Sequence, residues 1–207
     1  MILGLNSYMV NTLDIILGPM FSGKTSRLLK ITEEIKNTNL MSKEETELIM
    51  IIKPDVDRRY EQSEEKHHII SHDGLRQECH IVSDLMKFIS IIEDTVEKIK
   101  LRSIENLWII IDEGQFFKNL RKFCEKLFEL FGKLISVKIV VSGLDGDYQK
   151  KSIGDILSLI PICAPVVKLK GKCQYCNELS IMSQRTTSQK SQVLIGGGDL
   201  YKPTCRY

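Results

Sequence analysis

No apolar run in these 207 residues approaches the roughly 18 to 20 that a helix needs to cross a bilayer. The stretch Met1 to Asn11 holds no basic segment followed by an apolar core, so it does not read as a secretory leader. Charge of one sign is equally scarce. The 29 Lys and Arg stand against 27 Asp and Glu, and lysines alternate with glutamates instead of forming a basic stripe. That balance argues against nucleic acid as the main partner. Six cysteines are too few and too scattered for a disulfide-stapled secreted fold. Internal repeats and low-complexity tracts are absent as well. The expectation is a soluble cytoplasmic protein, 43% hydrophobic, with one good core and a small appendage.

What is there begins with Gly18, Pro19, Met20, Phe21, Ser22, Gly23, Lys24 and Thr25, a fit to Gly-x4-Gly-Lys-Ser/Thr. It follows the apolar run Leu13 to Leu17 and precedes the helical pattern Leu28-Leu29-x-Ile31. Glycines let backbone N–H groups turn inward, the lysine reaches the β and γ phosphates, and the threonine hydroxyl meets Mg2+. A helix opening near Gly23 adds its positive end to the same anion site. The pattern predicts binding of a nucleoside triphosphate with Mg2+. Buried strands are predicted at Leu48–Ile52, Leu107–Ile111 and Val137–Val141, with a shorter one at Ile69-Ile70. Helices are predicted from a Ser83 cap to about Lys100 and from about Leu120 to Phe131. Alternation of this kind predicts an α/β fold with a parallel sheet and ligands at the C-terminal strand ends. After Pro161 the texture changes to short strands and paired cysteines, placing a boundary near Val167: residues 1–167 for nucleotide binding, 168–207 for a second unit. Cys79, Cys124 and Cys163 read as small core residues.

Asp112 and Glu113 close the run Ile109-Ile-Ile. This is an ordinary strand end taken alone, but behind a phosphate loop it reads as an Mg2+-holding aspartate followed by a base. Gln115, Phe116 and Phe117 follow. Together with Gly143-Leu-Asp-Gly-Asp-Tyr-Gln149 and Val166-Val-Lys-Leu169 leading to Cys173-x-x-Cys176, these motifs resemble the thymidine kinase family of human cytosolic and poxvirus type. The resemblance runs from about Leu13 to Tyr207 in consistent order. It implies a RecA-like P-loop domain with a small zinc-ribbon-like lasso domain, transferring the γ-phosphoryl of ATP to the 5'-hydroxyl of thymidine, with deoxyuridine also accepted, in nucleoside salvage. It further implies a homotetramer or dimer and inhibition by dTTP.

Matched to the family pattern, Lys24 and Thr25 take phosphate and Mg2+, and Glu113 is the base. Asp57 and Arg59 lie near metal and phosphates, although by composition both read as solvated surface residues. Gln115 and Asp112 join the nucleotide side. Met20, Phe116, Leu144 and Tyr148 match the apolar wall around the base, and without the resemblance would pass as core. Ser183, Leu194, Ile195 and Gly196 match lasso positions, closed by Tyr201. Ile153 stands where an aromatic is usual and Gln192 where an aliphatic is usual, and both departures are expected to loosen the pocket.

Cys173 and Cys176 have the spacing of one arm of a zinc site, and Cys205 opens a second arm; two incidental cysteines are the plain alternative. The pattern's next cysteine would fall past Tyr207, so a fourth ligand is expected to be lost to truncation. A histidine, water or the absence of zinc is the other reading. His67, His68 and His72 share one loop, and none has an obvious claim. The rival from another class is a nucleic-acid-binding P-loop ATPase with a zinc ribbon. Within the class, a kinase of deoxyuridine or deoxycytidine is the near rival.

Overall fold

A computed structural model of the chain describes residues 9–42, 46–56, 67–71, 73–99 and 104–206. Asp57, Arg59 and His72 lie outside the described residues. Strand β1 (Thr12–Leu17) leads through the phosphate loop into helix α1 (Lys24–Ser42) and strand β2 (Glu47–Pro54). Strands β3 (His68–Ile70) and β4 (Arg76–Glu78) pair as an antiparallel hairpin, and β5 (His80–Val82) follows. Helix α2 (Leu85–Lys98), strand β6 (Asn106–Ile111), helix α3 (Leu120–Phe131) and strand β7 (Ser136–Gly143) complete the alternation. A 3-10 stretch at Ile156–Ile162 then leads to β8 (Val166–Lys168).

Six strands form one sheet in the order β5-β2-β6-β7-β1-β8, and every pairing in it is parallel. Its central strands carry apolar side chains on both faces because helices cover both. Along β6, Ile109 and Ile111 join one core with Phe88 and Ile92 of α2 and Phe123 of α3, while Ile110 joins the other with Leu28 and Leu29 of α1. The same period of two runs through Ile139, Val140 and Val141. Helix α2 buries Leu85, Phe88, Ile89, Ile92 and Val96 on one stripe, as its spacing predicts.

The cap of α2 is corrected: Asp84, not Ser83, takes the extended conformation and its side chain accepts from Met86 N at 2.9 Å. Cys79 and Cys124 are buried as expected, but Cys163 is only half-buried, its thiol donating to Ile160 O. The expected boundary near Val167 falls inside β8, the sheet's sixth strand. Beyond it, β9 (Gly171–Lys172) pairs with β10 (Leu179–Ser180), and β11 (Met182–Arg185) with β12 (Tyr201–Thr204). The segment between β11 and β12 is a lasso held at its base by the four-residue ladder. No described helix is long and apolar enough to cross a membrane.

Candidate active site

The phosphate loop occupies the C-terminal end of β1, where a parallel sheet places its ligands. Phe21 within it has φ 61°, an uncommon conformation for a side-chain-bearing residue and one that turns the loop back toward α1. Lys24 is 8% exposed and donates to Pro19 O at 2.8 Å. Thr25, in the first turn of α1, donates its hydroxyl to Asp112 Oδ2 at 3.0 Å. The other oxygen of Asp112 accepts from Glu113 N at 3.0 Å and from the Ser142 hydroxyl at the end of β7. Two strand ends and a helix start thus meet at one carboxylate.

Glu113 also sits in the left-handed region, φ 52° and ψ 41°, a turn that separates its side chain from that of Asp112. Its Oε2 accepts from Gln115 Nε2 at 2.6 Å, and Gln115 Oε1 accepts from Leu144 N at 2.9 Å. Gln115 is 3% exposed, so it is a buried strut beneath Glu113 and does not line the cavity.

A cavity of about 250 Å³ opens between these groups and the lasso. Met20, Phe21, Ser22, Gly23, Lys24, Thr25, Asp112 and Glu113 line one part of it. Phe116, Leu144, Tyr148, Ile153, Ser183 and the lasso residues Leu194, Ile195 and Gly196 line the rest, with Tyr201. Gly18 and Pro19 stay behind this surface. A Cβ on Gly18 would come 2.8 Å from Leu169 O, so the loop backbone packs against the strand leading out of the sheet. Ser183 Oγ accepts from Met20 N at 2.9 Å, tying β11 to the loop. Tyr201 OH donates to Leu194 O at 2.8 Å, and Tyr148 OH to Lys190 O at 3.1 Å.

The thiols of Cys173, Cys176 and Cys205 lie within 4.8 Å of one another. Cys176 and Cys205 Sγ are 3.6 Å apart, close to the ~3.8 Å edge of a tetrahedron with zinc–sulfur bonds of about 2.3 Å. Hydrogen bonds from the backbone N–H groups of Tyr175 and Cys205 pull the Cys173 thiol down to about 6, favouring the thiolate that ligates metal. Three donors therefore fit a zinc ion; among the described residues no histidine joins them.

A family model described as thymidine kinase matches residues 11–207. The chain belongs to the thymidine kinase family. It is 37% identical to thymidine kinase a of Arabidopsis thaliana over 93% of this chain and 72% of that one. With the thymidine kinase of Sheeppox virus (strain KS-1) it shares 34% identity over 94% of each chain. The thymidine kinase of Oryza sativa subsp. japonica is 33% identical, and there the match spans 94% of this chain and 64% of the relative. Membership makes the chain an enzyme, a kinase of the transferase class.

Three polar residues at this thymidine kinase site, Lys53, Asp147 and Arg185, were not read as such from sequence. Lys53, at the end of β2, is 4% exposed and lines the cavity. Asp147 is 7% exposed; although partial burial opposes its ionisation, N–H groups of Lys151, Gln192 and Gln149 hold it below the usual carboxylate range. Gln192 does not loosen the pocket: its Nε2 donates to Asp147 Oδ2 at 2.9 Å and to Ser152 O at 3.0 Å, fastening the lasso to the loop after β7. Arg185, 7% exposed, donates to the carbonyls of Gln189, Ser191 and Gln192 and to Tyr201 OH, and its guanidinium lies 3.9 Å from the centre of the Tyr148 ring. The only sequence signal for it is a charged residue two before a Ser-rich polar stretch, which solvated arginines share.

Proposed function

We propose that this thymidine kinase transfers the γ-phosphoryl group of ATP to the 5'-hydroxyl of thymidine, and of deoxyuridine, giving the 5'-monophosphates as a salvage step. The observation that carries the reading is the meeting of Thr25 with Asp112 and of Gln115 with Glu113 on one cavity closed by the lasso. Lys24, the loop N–H groups and the start of α1 bind the phosphates. Thr25 and Asp112 hold Mg2+, which offsets phosphate charge. Asp57 and Arg59 act beside the metal and the transferring group. Glu113 takes the 5'-hydroxyl proton, held toward the acceptor by Gln115, and transfer proceeds in line. Positioning and electrostatics supply most of the rate.

Met20, Phe116, Leu144 and Tyr148 form a flat apolar slot suited to a pyrimidine, while Ser183, Leu194, Ile195, Gly196 and Tyr201 bring polar main-chain edges to it. The two-unit division at 167/168 separates nucleotide binding from the lasso unit, where Cys173, Cys176 and Cys205 hold structural Zn2+. A cytoplasmic homotetramer or dimer inhibited by dTTP belongs to the same reading.

A coupled ATP-to-ADP assay with Mg2+ and thymidine, deoxyuridine, deoxycytidine or no nucleoside tests it. Thymidine-dependent turnover should fall by about 100- to 10,000-fold in Glu113→Gln, the usual worth of a general base. ADP release that ignores nucleosides, or responds only to DNA or RNA, sinks the proposal in favour of a nucleic-acid-dependent ATPase.

A further inference from the structure

Lys53 is a buried cation that the reaction above leaves without a part. Its Nζ donates to His68 O at 2.9 Å, and among the described residues no other acceptor meets it. An ammonium has three donors, and burying it is costly unless anions or acceptors answer them. His68 Nδ1, in the same cavity wall, is also buried without a hydrogen-bond partner among the described residues. This wall has polar capacity that the described residues do not use.

Its place in the sheet says what would use it. Ile52 pairs with Ile111, and Asp112 N donates to Ile52 O at 2.9 Å, so Lys53 stands opposite Asp112 on the neighbouring strand. Ile51 and Ile110 both belong to the α1-side core, and by alternation Lys53 and Asp112 point to that face too. The strand order runs from the phosphate loop after β1 through β7 and β6 to β2. Seen from the loop, Lys53 therefore lies past Asp112, toward the end of a phosphate chain anchored on Lys24.

We propose that Lys53 is a second phosphate-binding cation, its Nζ contacting the terminal phosphoryl group of the nucleotide during transfer. The proposal rests on the phosphotransferase reading above. In this arrangement Lys24 and Lys53 hold the triphosphate from two sides, and Lys53 contributes little to a diphosphate that lacks the terminal group.

The test compares Lys53→Gln, which keeps an N–H donor for the His68 carbonyl but no charge, with Lys53→Arg, which keeps the charge. Dissociation constants for MgADP and for a non-hydrolysable MgATP analogue are measured on the full chain, with thermal unfolding and thymidine turnover. Lys53→Gln should lose on the order of tenfold to a hundredfold in triphosphate affinity, the range for a charge-assisted hydrogen bond, with diphosphate affinity retained. Lys53→Arg should recover part of it. Equal losses for both nucleotides, or a lowered melting temperature alone, overturn the proposal and leave Lys53 a pin for the His68 backbone. Where Lys53→Gln does not fold, an unselective loss in Lys53→Arg overturns it equally. A parent protein that turns over thymidine while the variants show no selectivity refutes this contact alone; a parent that binds no triphosphate refutes the phosphotransferase reading with it.

Discussion

Replacing Arg185 by methionine keeps most of the side-chain volume and removes the guanidinium that gathers the lasso. The three lasso carbonyls accept at 3.0, 2.5 and 3.1 Å and Tyr201 OH at 2.7 Å. Gln189, Ser191 and Gln192 are exposed residues, so their carbonyls find water once the lasso opens. Each bond is then worth the lower, solvent-compensated figure of about 0.5 to 1 kcal/mol. Contact with the Tyr148 face adds roughly 0.5 to 1 kcal/mol. Three carbonyls and the ring together favour the closed lasso by about 2 to 4 kcal/mol. At about 1.4 kcal/mol per tenfold, the ceiling on lost thymidine affinity is several hundredfold. The observed loss is smaller if the parent lasso is more than marginally closed, because only the change in closed fraction enters the apparent constant. Titration calorimetry with thymidine and with MgATP reads both ends of the cavity. The expectation is a thymidine loss of at least about tenfold with MgATP affinity unchanged. Parallel losses for the two ligands, or an unaltered thymidine constant in a folded variant, would refute the argument.

Gly154→Ala introduces a Cβ that would fall 1.8 Å from Gln115 O at φ +61°, where an L side chain is strained as well. A backbone clash of this kind should lower the melting temperature on the order of 5 to 10 °C and reduce turnover through the Gln115 strut, as calorimetry beside the kinase assay would show. In chelator-treated protein at pH 7.5, iodoacetamide should modify Cys173 well before Cys124, whose burial pushes its thiol up to about 12; peptide mapping gives the order. Because the Cys173 thiol is lower folded than unfolded, its stabilisation is complete above the ordinary thiol value of about 8.5 and is lost as pH falls through about 6. A hydrogen bond from the Glu178 backbone lowers the Cys176 thiol, but its neighbours Cys173 and Cys205 raise it overall, so it acts in the opposite sense near pH 9. The comparison is therefore made below that range: the metal-free protein should melt lower at pH 6 than at pH 7.5.

The central strands were legible because burial on both faces leaves continuous apolar runs, as in Ile109-Ile-Ile and Ile139-Val-Val. The phosphate loop and Asp112-Glu113 were legible because their chemistry needs particular residues at fixed spacing. Edge strand β5 and the hairpin partner β4 were not, since His80-Ile-Val and Arg76-Gln-Glu carry no pattern and are strands only through pairing with β2 and β3. Ser83 and Asp84 are both good cap residues, and backbone direction chose between them. Lys53 and Arg185 look like surface residues in sequence because the groups they hold, the carbonyls of His68 and of Gln189, Ser191 and Gln192, belong to the backbone. A hydrogen bond to a carbonyl places no demand on the partner's side chain, so it leaves no trace in the partner's residue type.

The phosphate loop and the cysteine unit share backbone. Leu169 N donates to Leu17 O at 2.8 Å, and Leu169 O borders Gly18 too closely for any side chain there, only four residues before Cys173. The segment that carries the cysteines therefore sets out from backbone already fixed against the phosphate loop. Binding free energies are reciprocal: if withdrawing an ion from the thiols slackens the grip on triphosphate, triphosphate must tighten the grip on the ion by the same factor. With such coupling, the metal content of a preparation would be a variable in every nucleotide affinity measured on it.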